Sequence, residues 1–251
     1  MRMRELQNET EIKKKAYPSS GESKARFVRE MFTRIAPRYD LVNTLATFNR
    51  DRSWRRKAVS LAEVEDGDIV LDVATGTGKF AAELAEVTSH VIGVDFCPGM
   101  VLVGKAAGVE ANHVISFVLG DALNLPFASN SFDCAAMGFA LRNVADITGC
   151  LSEMKRVVKQ GGKIVCLEIT MPRSRIVRLF YSFYLFKVIP MIGYFLLRDR
   201  GKEAYRYLPH SVVNFPTPAQ LKEIMEDVGL CQVEYYLLNM GTIALYVAVS
   251  Q

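Results

Sequence analysis

A glycine-rich turn follows the first strand-like run of the sequence, in LDVATGTGKF at residues 71–80. Gly76 and Gly78 let a backbone approach a ligand closely, with the start of a helix just behind them. The turn is not a phosphate-binding loop, because Val73 stands where that loop has its first glycine and Phe80 where it has a magnesium ligand. The third glycine of a dinucleotide-binding turn is also absent. A nucleoside without phosphates fits this pattern best, and a tight structural turn is the alternative.

Carboxylates end the next two strand-like runs. Asp95 ends HVIGVD, where a carboxylate can accept hydrogen bonds from both hydroxyls of a ribose. Asp121 ends the following run, where it can accept a hydrogen bond from an adenine amino group while the backbone amide of Ala122 donates to a ring nitrogen. Either acid alone could cap a strand or a helix. Because parallel strands bring their carboxyl ends to one edge of a sheet, the residues together predict an adenosine site.

Arg142 and Asn143 follow a fourth apolar run, in AAMGFALRNV at residues 135–144. A guanidinium directly after a buried strand is costly unless it has a partner. We expect the pair at the carboxyl end of the fourth strand, beside the adenosine site. A structural ion pair is the alternative for Arg142.

Placing these residues at one edge requires a parallel sheet, and the sequence predicts one. Apolar runs alternate with helical stretches, which is typical of strands that helices bury on both faces. The predicted strands span residues 68–74, 90–95, 115–121, 132–140, 162–170, 231–239 and 242–250. The predicted helices lie near residues 79–87, 98–108, 146–159 and 217–230. The last two strands join at Met240-Gly241, so we predict an α/β fold with a seven-stranded, mostly parallel sheet that ends in a C-terminal antiparallel hairpin.

The domain organisation follows from composition and periodicity. We predict that residues 1–23 form a flexible lead-in and that residues 24–251 form a single domain. Within this domain, residues 24–61 are amphipathic and are predicted to form a helical cap. Residues 173–215 are an apolar insertion, which we place on the substrate side.

Part of the insertion is long enough to cross a membrane. Residues 179–197 carry Lys187 as their only charge. Because Pro190 and Gly193 interrupt the stretch, we predict a helical pair that lines a cavity or touches a membrane, and not a span. The alternative is an insertion that packs only on its own domain.

Charge and cysteine content narrow the class of protein. Residues 1–60 hold about twice as many Lys and Arg as Asp and Glu, which suits contact with anionic lipid, phosphate or nucleic acid. A solvated helix surface would look the same. The 5 cysteines form no CxxC pair and have no nearby histidine, which predicts a reduced, cytoplasmic protein without a disulfide framework or metal site.

The motifs LDVATGTG, GDALNLPF and MKRVVKQGGKIVCLE, with Asp95, resemble class I S-adenosylmethionine (SAM) dependent methyltransferases. More narrowly, RIAPRYDLVNTLATFNRDRSWRRKAV, GFALRNV and YRYLPHSV resemble the ubiquinone/menaquinone biosynthesis C-methyltransferase (UbiE/MenG) family, roughly over residues 27–250. One departure is Thr44, where the family usually has an acid. The resemblance implies a Rossmann-like fold and SAM-dependent methylation of a ring carbon of a prenylated hydroquinone.

The resemblance also implies which residues bind the cofactor. Thr77, Asp95 and Asp121 with Ala122 are the implied SAM contacts, in addition to the glycine-rich turn. Gly138 stands where many members have a serine, so it can contribute only backbone contacts.

For catalysis, the resemblance points to Arg142, Asn143 and Tyr39. A ring carbon becomes nucleophilic when a ring hydroxyl loses its proton. Since the pKa of arginine exceeds about 12, we expect Arg142 to stabilise the phenolate or to orient a proton-accepting water. Asn143 could hold a quinol oxygen and Tyr39 could contact the ring, whereas a packed ring beside an Asx-type turn is the alternative for Tyr39. This chemistry requires no metal.

Three other functions stay open from the sequence. They are methylation of another small aromatic or lipid acceptor, an NAD(P)-dependent oxidoreductase, and a SAM-binding protein without catalysis. We expect the prenylated quinol as substrate, no nucleic-acid partner, and a cytoplasmic location with peripheral contact at the inner face of a membrane. A homodimer is kept open as the assembly.

Overall fold

The structure, a computed structural model, describes residues 17–110, 114–197 and 202–251. Its centre is one sheet with the strand order β3-β2-β1-β4-β5-β7-β6. Strands β1 to β5 pair in parallel, whereas β7 runs antiparallel to both of its neighbours. The predicted α/β fold with a seven-stranded, mostly parallel sheet and a C-terminal hairpin is therefore confirmed. The strands are β1 Ile69–Val73, β2 His90–Asp95, β3 Ile115–Leu119, β4 Phe132–Gly138, β5 Val158–Ile169, β6 Leu230–Leu238 and β7 Ile243–Ser250.

Two strands end two residues earlier than the sequence predicted. β3 ends at Leu119 and β4 at Gly138, so Asp121 lies in the loop beyond its strand. Arg142 and Asn143 follow β4 as predicted, but they lie in a separate 3-10 turn, Leu141–Asn143, and not directly at the end of the strand. The chain leaves β4 at Phe139, whose φ of 60° is incompatible with a strand.

Helices cover both faces of the sheet. α6 and α10 pack on one face, where Leu151, Met154, Leu221 and Met225 are fully buried. α3 and α4 cover the other face with Trp54, Ala58, Phe80 and Leu84. The helices are α1 Gly21–Ile35, α2 Tyr39–Thr47, α3 Asp51–Ala62, α4 Lys79–Ala85, α5 Pro98–Glu110, α6 Ile147–Val157, α7 Arg175–Phe183, α8 Ile189–Leu197, α9 Lys202–Val213 and α10 Pro218–Asp227.

A third core joins the N-terminal helices to the apolar insertion. Val28 and Met31 of α1 pack with Leu185, Ile189 of α8 and Tyr205 of α9. The segment before β1 and the insertion between β5 and β6 therefore form one roof over the carboxyl edge of the sheet.

The N-terminal lead-in is shorter than predicted within the described residues. α1 begins at Gly21 and not at residue 24. The ring of Tyr17 lies 5.4 Å from that of Tyr207 and 5.2 Å from that of His210, both on α9. Residues 1–16 of the predicted lead-in lie outside the described part of the chain.

Residues 179–197, which were predicted to form a helical pair, belong instead to one long helix. α7 and α8 are continuous through a π turn at Tyr184–Val188, which gives a helix over Arg175–Leu197. The wider π turn ends two residues before Pro190, whose missing N–H donor and bulky ring disfavour regular α-helical geometry in the preceding turn. By length and composition this helix could cross a membrane, but Leu185, Ile189 and Leu197 are buried in the third core. One side of the helix is therefore fixed to the domain.

Candidate active site

A cavity of about 440 Å³ lies between the carboxyl ends of the strands and the roof of α1, α2 and α8. Its size falls within the range of roughly 300–1,000 Å³ that is usual for small-molecule sites. Nine of the ten predicted site residues line it, which is the juxtaposition expected from strand ends in a parallel sheet. They are Tyr39, Gly76, Thr77, Asp95, Asp121, Ala122, Gly138, Arg142 and Asn143. The tenth, Gly78, is not part of the lining.

The two predicted glycines of the turn have different tasks. Gly76 and Gly78 both have positive φ, at 59° and 81°. A Cβ atom on Gly76 would meet no atom within 4 Å, so its backbone borders open space next to the cavity. A Cβ atom on Gly78 would lie 2.7 Å from Cζ of Phe117 on β3. Gly78 is therefore needed for close packing of the turn on the sheet.

Asp72 is a site residue that the sequence reasoning missed. It lies in β1, is 1% exposed, and lines the cavity. Its Oδ2 accepts hydrogen bonds from Thr75 Oγ1 at 2.6 Å and from the amide of Ala81 at 2.9 Å. Its Oδ1 is buried without a partner among the described residues. Burial raises the pKa of Asp72 to about 7. A cationic ligand group near the unpartnered Oδ1 would therefore stabilise the ionised carboxylate.

Asp95 holds two turns together at the end of β2. Its Oδ2 accepts from the amide of Gly76 at 2.8 Å and its Oδ1 from that of Cys97, also at 2.8 Å. Burial raises the pKa of Asp95 although these backbone bonds oppose the shift. Each carboxylate oxygen can accept a second hydrogen bond, so the predicted role as a ribose acceptor remains open to Asp95.

Asp121 and Gly138 lie on opposite sides of the switch in strand order. Asp121 is exposed and accepts the amide of Leu123 at Oδ1, 3.0 Å away. A Cβ atom on Gly138 would lie 3.0 Å from Cδ1 of Phe80. A serine at this position would thus require Phe80 to move, which explains why glycine suits this chain.

A polar network connects α2 to the glycine-rich turn. Thr77 Oγ1 donates to Asp40 Oδ1 at 2.8 Å, and Lys79 Nζ lies 3.7 Å from the same oxygen. Lys79 Nζ also donates to Thr44 Oγ1 at 3.1 Å. The roof is therefore tied to the turn through four side chains, of which Asp40, Thr77 and Lys79 line the cavity.

Arg142 forms a buried ion pair with Glu168 of β5. Its Nη1 lies 2.8 Å from Glu168 Oε2, and the two side chains are 7% and 1% exposed. Nη1 also donates to the carbonyl of Phe139, while Nε has no partner among the described residues. Burial lowers the pKa of Arg142, but Glu168 outweighs burial and raises it, so the guanidinium stays charged. The ion pair of the structural alternative is thus present, and Arg142 also lines the cavity.

The backbone beside this pair is strained. Phe139 has positive φ, which is unfavourable for an aromatic residue and is concentrated at functional sites in proteins. Its amide donates to the carbonyl of Leu167, and its ring lies under Arg55 at 5.5 Å and against Trp54 at 6.2 Å. These contacts hold the turn that presents Arg142 and Asn143.

Tyr39 and Asn143 complete the predicted catalytic set. Asn143 is 9% exposed, and its backbone N–H donates to the carbonyl of Ala140 at 2.8 Å. The ring of Tyr39 meets that of Phe32 edge-on at 5.7 Å. Burial raises the pKa of Tyr39 more than the nearby Arg142 lowers it, so its hydroxyl stays protonated and can donate a hydrogen bond.

The outer part of the cavity is apolar. Ala46, Phe48, Tyr181, Tyr184 and Ile189 line it. The rings of Phe48 and Tyr184 stack with centroids 6.5 Å apart, and Phe48 itself is 77% exposed. The cavity thus leads from polar strand ends to an apolar opening between α2 and the long helix.

The described residues contain no group of three or more His, Cys, Asp or Glu side chains that could hold a metal. His210 lies among aromatic rings on α9 with Nε2 buried, His90 starts β2, and His113 is outside the described residues. All 5 cysteines are free, and only Cys231 is not buried.

Comparison with known proteins gives consistent matches. The chain matches the model of the ubiE/COQ5 methyltransferase family over residues 19–250. A demethylmenaquinone methyltransferase from Symbiobacterium thermophilum is 39% identical over 244 residues, covering 93% of this chain and 96% of the relative. A ubiquinone/menaquinone biosynthesis C-methyltransferase UbiE from Geobacter sulfurreducens is 42% identical over 228 residues, covering 89% and 88%.

Solved structures confirm the Rossmann-like methyltransferase fold. A SAM-dependent methyltransferase from Thermotoga maritima has a TM-score of 0.63 at 18% identity, covering 89% of this chain and all 100% of that chain. Phosphoethanolamine N-methyltransferase 2 from Haemonchus contortus, in complex with SAM, has a TM-score of 0.58 at 15% identity, covering 79% and 52%.

Proposed function

Because the chain belongs to the ubiE/COQ5 methyltransferase family, it is a methyltransferase, and we propose that it methylates a ring carbon of a prenylated hydroquinone with SAM as methyl donor. The two relatives carry names for steps in menaquinone or ubiquinone synthesis. The observation that carries the proposal is the cavity, which joins adenosine-type strand ends to an apolar opening and is lined by a charged arginine.

The polar half of the cavity fits SAM. Asp95 would accept the ribose hydroxyls, and Asp121 with the Ala122 amide would contact the adenine edge. The unpartnered Oδ1 of Asp72 fits an ammonium group, such as the amino group of the methionine part. Gly76 leaves space for a ligand against the backbone of the turn. When bound, SAM supplies an electrophilic methyl group.

Arg142, Asn143 and Tyr39 prepare the acceptor ring. A neutral hydroquinone is a weak carbon nucleophile, and loss of a hydroxyl proton spreads negative charge onto the ring. The charged guanidinium of Arg142, desolvated in the cavity, stabilises that phenolate, while Glu168 holds the guanidinium in place without lining the cavity. Asn143 and the protonated Tyr39 hydroxyl orient the ring oxygens. Water takes the hydroxyl proton, and the ring carbon would then gain the methyl group with S-adenosylhomocysteine as the leaving group. The proton on that carbon is lost to water, and a proton from water restores the hydroxyl.

The apolar opening takes the prenyl tail. Phe48, Tyr184 and Ile189 provide an apolar path outward from the ring-binding part of the cavity. A polyprenyl chain does not dissolve in water, so the enzyme meets its substrate at a membrane from the cytoplasmic side.

Labelled SAM tests the proposal directly. The purified protein is incubated with demethylmenaquinol and, separately, with the corresponding benzoquinol, each kept reduced. We expect label in at least one quinol and none in the oxidised quinone, because only the hydroquinone can form a phenolate. The absence of label in both quinols would refute the proposal. Tight NAD binding without SAM binding in a calorimetric titration would favour the oxidoreductase instead.

A further inference from the structure

Helix α7 has its apolar side facing outward. Ile176, Leu179, Phe180 and Phe183 are 63–71% exposed, and no residue of α7 is buried. In a helix that merely packs on its own domain, the apolar side would face the core. The polar residues Arg175 and Arg178 do not occupy this stripe.

The stripe continues along α8 and reaches the opening of the cavity. Exposed apolar side chains recur at helical spacing along the long helix, so they share one side of it. We call this side the apolar face, and it consists of Ile176, Leu179, Phe180, Phe183, Met191 and Phe195. Phe48 stands beside it, since its ring stacks on Tyr184 of the same helix. A surface of this kind marks an interaction site.

The positive charge around the apolar face favours a partner with a negatively charged surface. Residues 173–197 contain Arg173, Arg175, Arg178 and Lys187 and no Asp or Glu, and all four basic residues are exposed. A two-fold dimer through this face would bring the same basic residues of both copies together, which is unfavourable. A surface with a negative charge over an apolar interior is complementary to it.

We infer that the apolar face inserts into the cytoplasmic leaflet of a bilayer that contains anionic lipid, with the basic residues at the headgroups. This inference rests on the proposed function and adds how the substrate arrives. The opening beside Phe48 then faces the membrane, so the quinol ring enters the cavity while its tail stays among lipid chains. The long helix lies along the surface and does not cross it, because its other side belongs to the third core.

Flotation with lipid vesicles tests the inference on the full chain. The variants are Phe180→Ser with Phe183→Ser, and Arg175→Gln with Lys187→Gln; these side chains are exposed and outside the cavity lining. Leu102→Ser is the matched control, since Leu102 on α5 is 68% exposed. We expect the wild type and the control to float with vesicles of phosphatidylcholine and phosphatidylglycerol. The double Phe variant should bind at least about tenfold more weakly. The Arg–Lys variant should lose the preference for phosphatidylglycerol.

Activity on two substrates separates this inference from the proposed function. The double Phe variant should methylate a water-soluble hydroquinone with a short tail as fast as wild type, but be slow on a long-tailed quinol in vesicles. If wild type fails on the soluble substrate, the proposed function is wrong. If wild type methylates it yet never floats, or the double Phe variant floats as well as wild type, the inference is wrong. Dimers in sedimentation that the same variant converts to monomers would assign the face to self-association and overturn it.

Discussion

A loss of activity on replacing Arg142 alone could come from lost stability or from lost catalysis, because the side chain is half of a buried ion pair. Arg142→Met leaves the Glu168 carboxylate, which is 1% exposed, without the Nη1 group that now lies 2.8 Å away. At an effective dielectric constant of about 20, unit charges 2.8 Å apart attract each other by about 6 kcal/mol. Leaving one buried partner alone costs about 3–5 kcal/mol in measured cases. We expect a loss of stability of that order in urea unfolding.

The double variant Arg142→Met with Glu168→Gln removes the uncompensated charge. We expect its free energy of unfolding to lie within about 1–2 kcal/mol of that of wild type. The difference arises because the backbone N–H groups of residues 142 and 169 each donate to one carboxylate oxygen of Glu168, whereas a glutamine side chain has only one acceptor oxygen. SAM affinity in calorimetry should stay near that of wild type. Methyl transfer from labelled SAM to the quinol should fall by about 10²–10³, the usual effect of losing one electrostatic stabiliser. A stable double variant with wild-type turnover would refute the reasoning and leave Arg142 as a structural residue only.

Three further outcomes follow from the geometry of the turn and its neighbours. Gly76→Ala should cost about 1 kcal/mol of stability because of its positive φ, and it should also weaken SAM binding. Gly78→Ala should cost more stability, because its Cβ atom would collide with the ring of Phe117. Urea unfolding of both variants checks this order, and a larger loss of stability in Gly76→Ala would show that the assignment is wrong. Without SAM, stability should fall as the pH rises from about 4 to about 7, since folded Asp72 keeps a proton that the unfolded chain releases; Asp72→Asn should flatten this slope in urea unfolding, and an unchanged slope would exclude Asp72 as the cause. Thr77→Val removes the hydrogen bond to Asp40 and should raise the KM for SAM several-fold, on the order of 1 kcal/mol, while Thr77→Ser should restore it; equal KM values for both variants would contradict the role of the network.

The sheet could be predicted from the sequence because its strands are continuous apolar runs between polar or glycine-rich turns. The error at β4 falls where apolar residues continue past the end of the strand. Phe139 and Ala140 look like part of β4, but the positive φ of Phe139 turns the chain away. A left-handed backbone at a phenylalanine follows from tertiary contacts with Trp54 and Arg55, which local sequence does not reveal.

The candidate site was predicted where residues follow strand ends, and missed where a polar residue lies within a strand. Asp72 and Glu168 each interrupt an apolar run, and that interruption was the available signal. The partner of Glu168 could not be predicted, since the pair depends on β4 and β5 lying side by side and on the tight turn after β4. The outward orientation of the apolar side of α7 was equally hidden, because periodicity gives the width of an apolar stripe and not its direction.

The position of β7 also has a consequence for how the protein is made. β7 lies between β5 and β6 and pairs with one edge of each, for example through the pair Lys163 and Val249. During synthesis, β5 and β6 therefore expose unpaired backbone edges until residues 243–250 have left the ribosome. Because the closing contacts join distant parts of the sequence, completion of the sheet should be the slow step of folding and the stage most prone to aggregation.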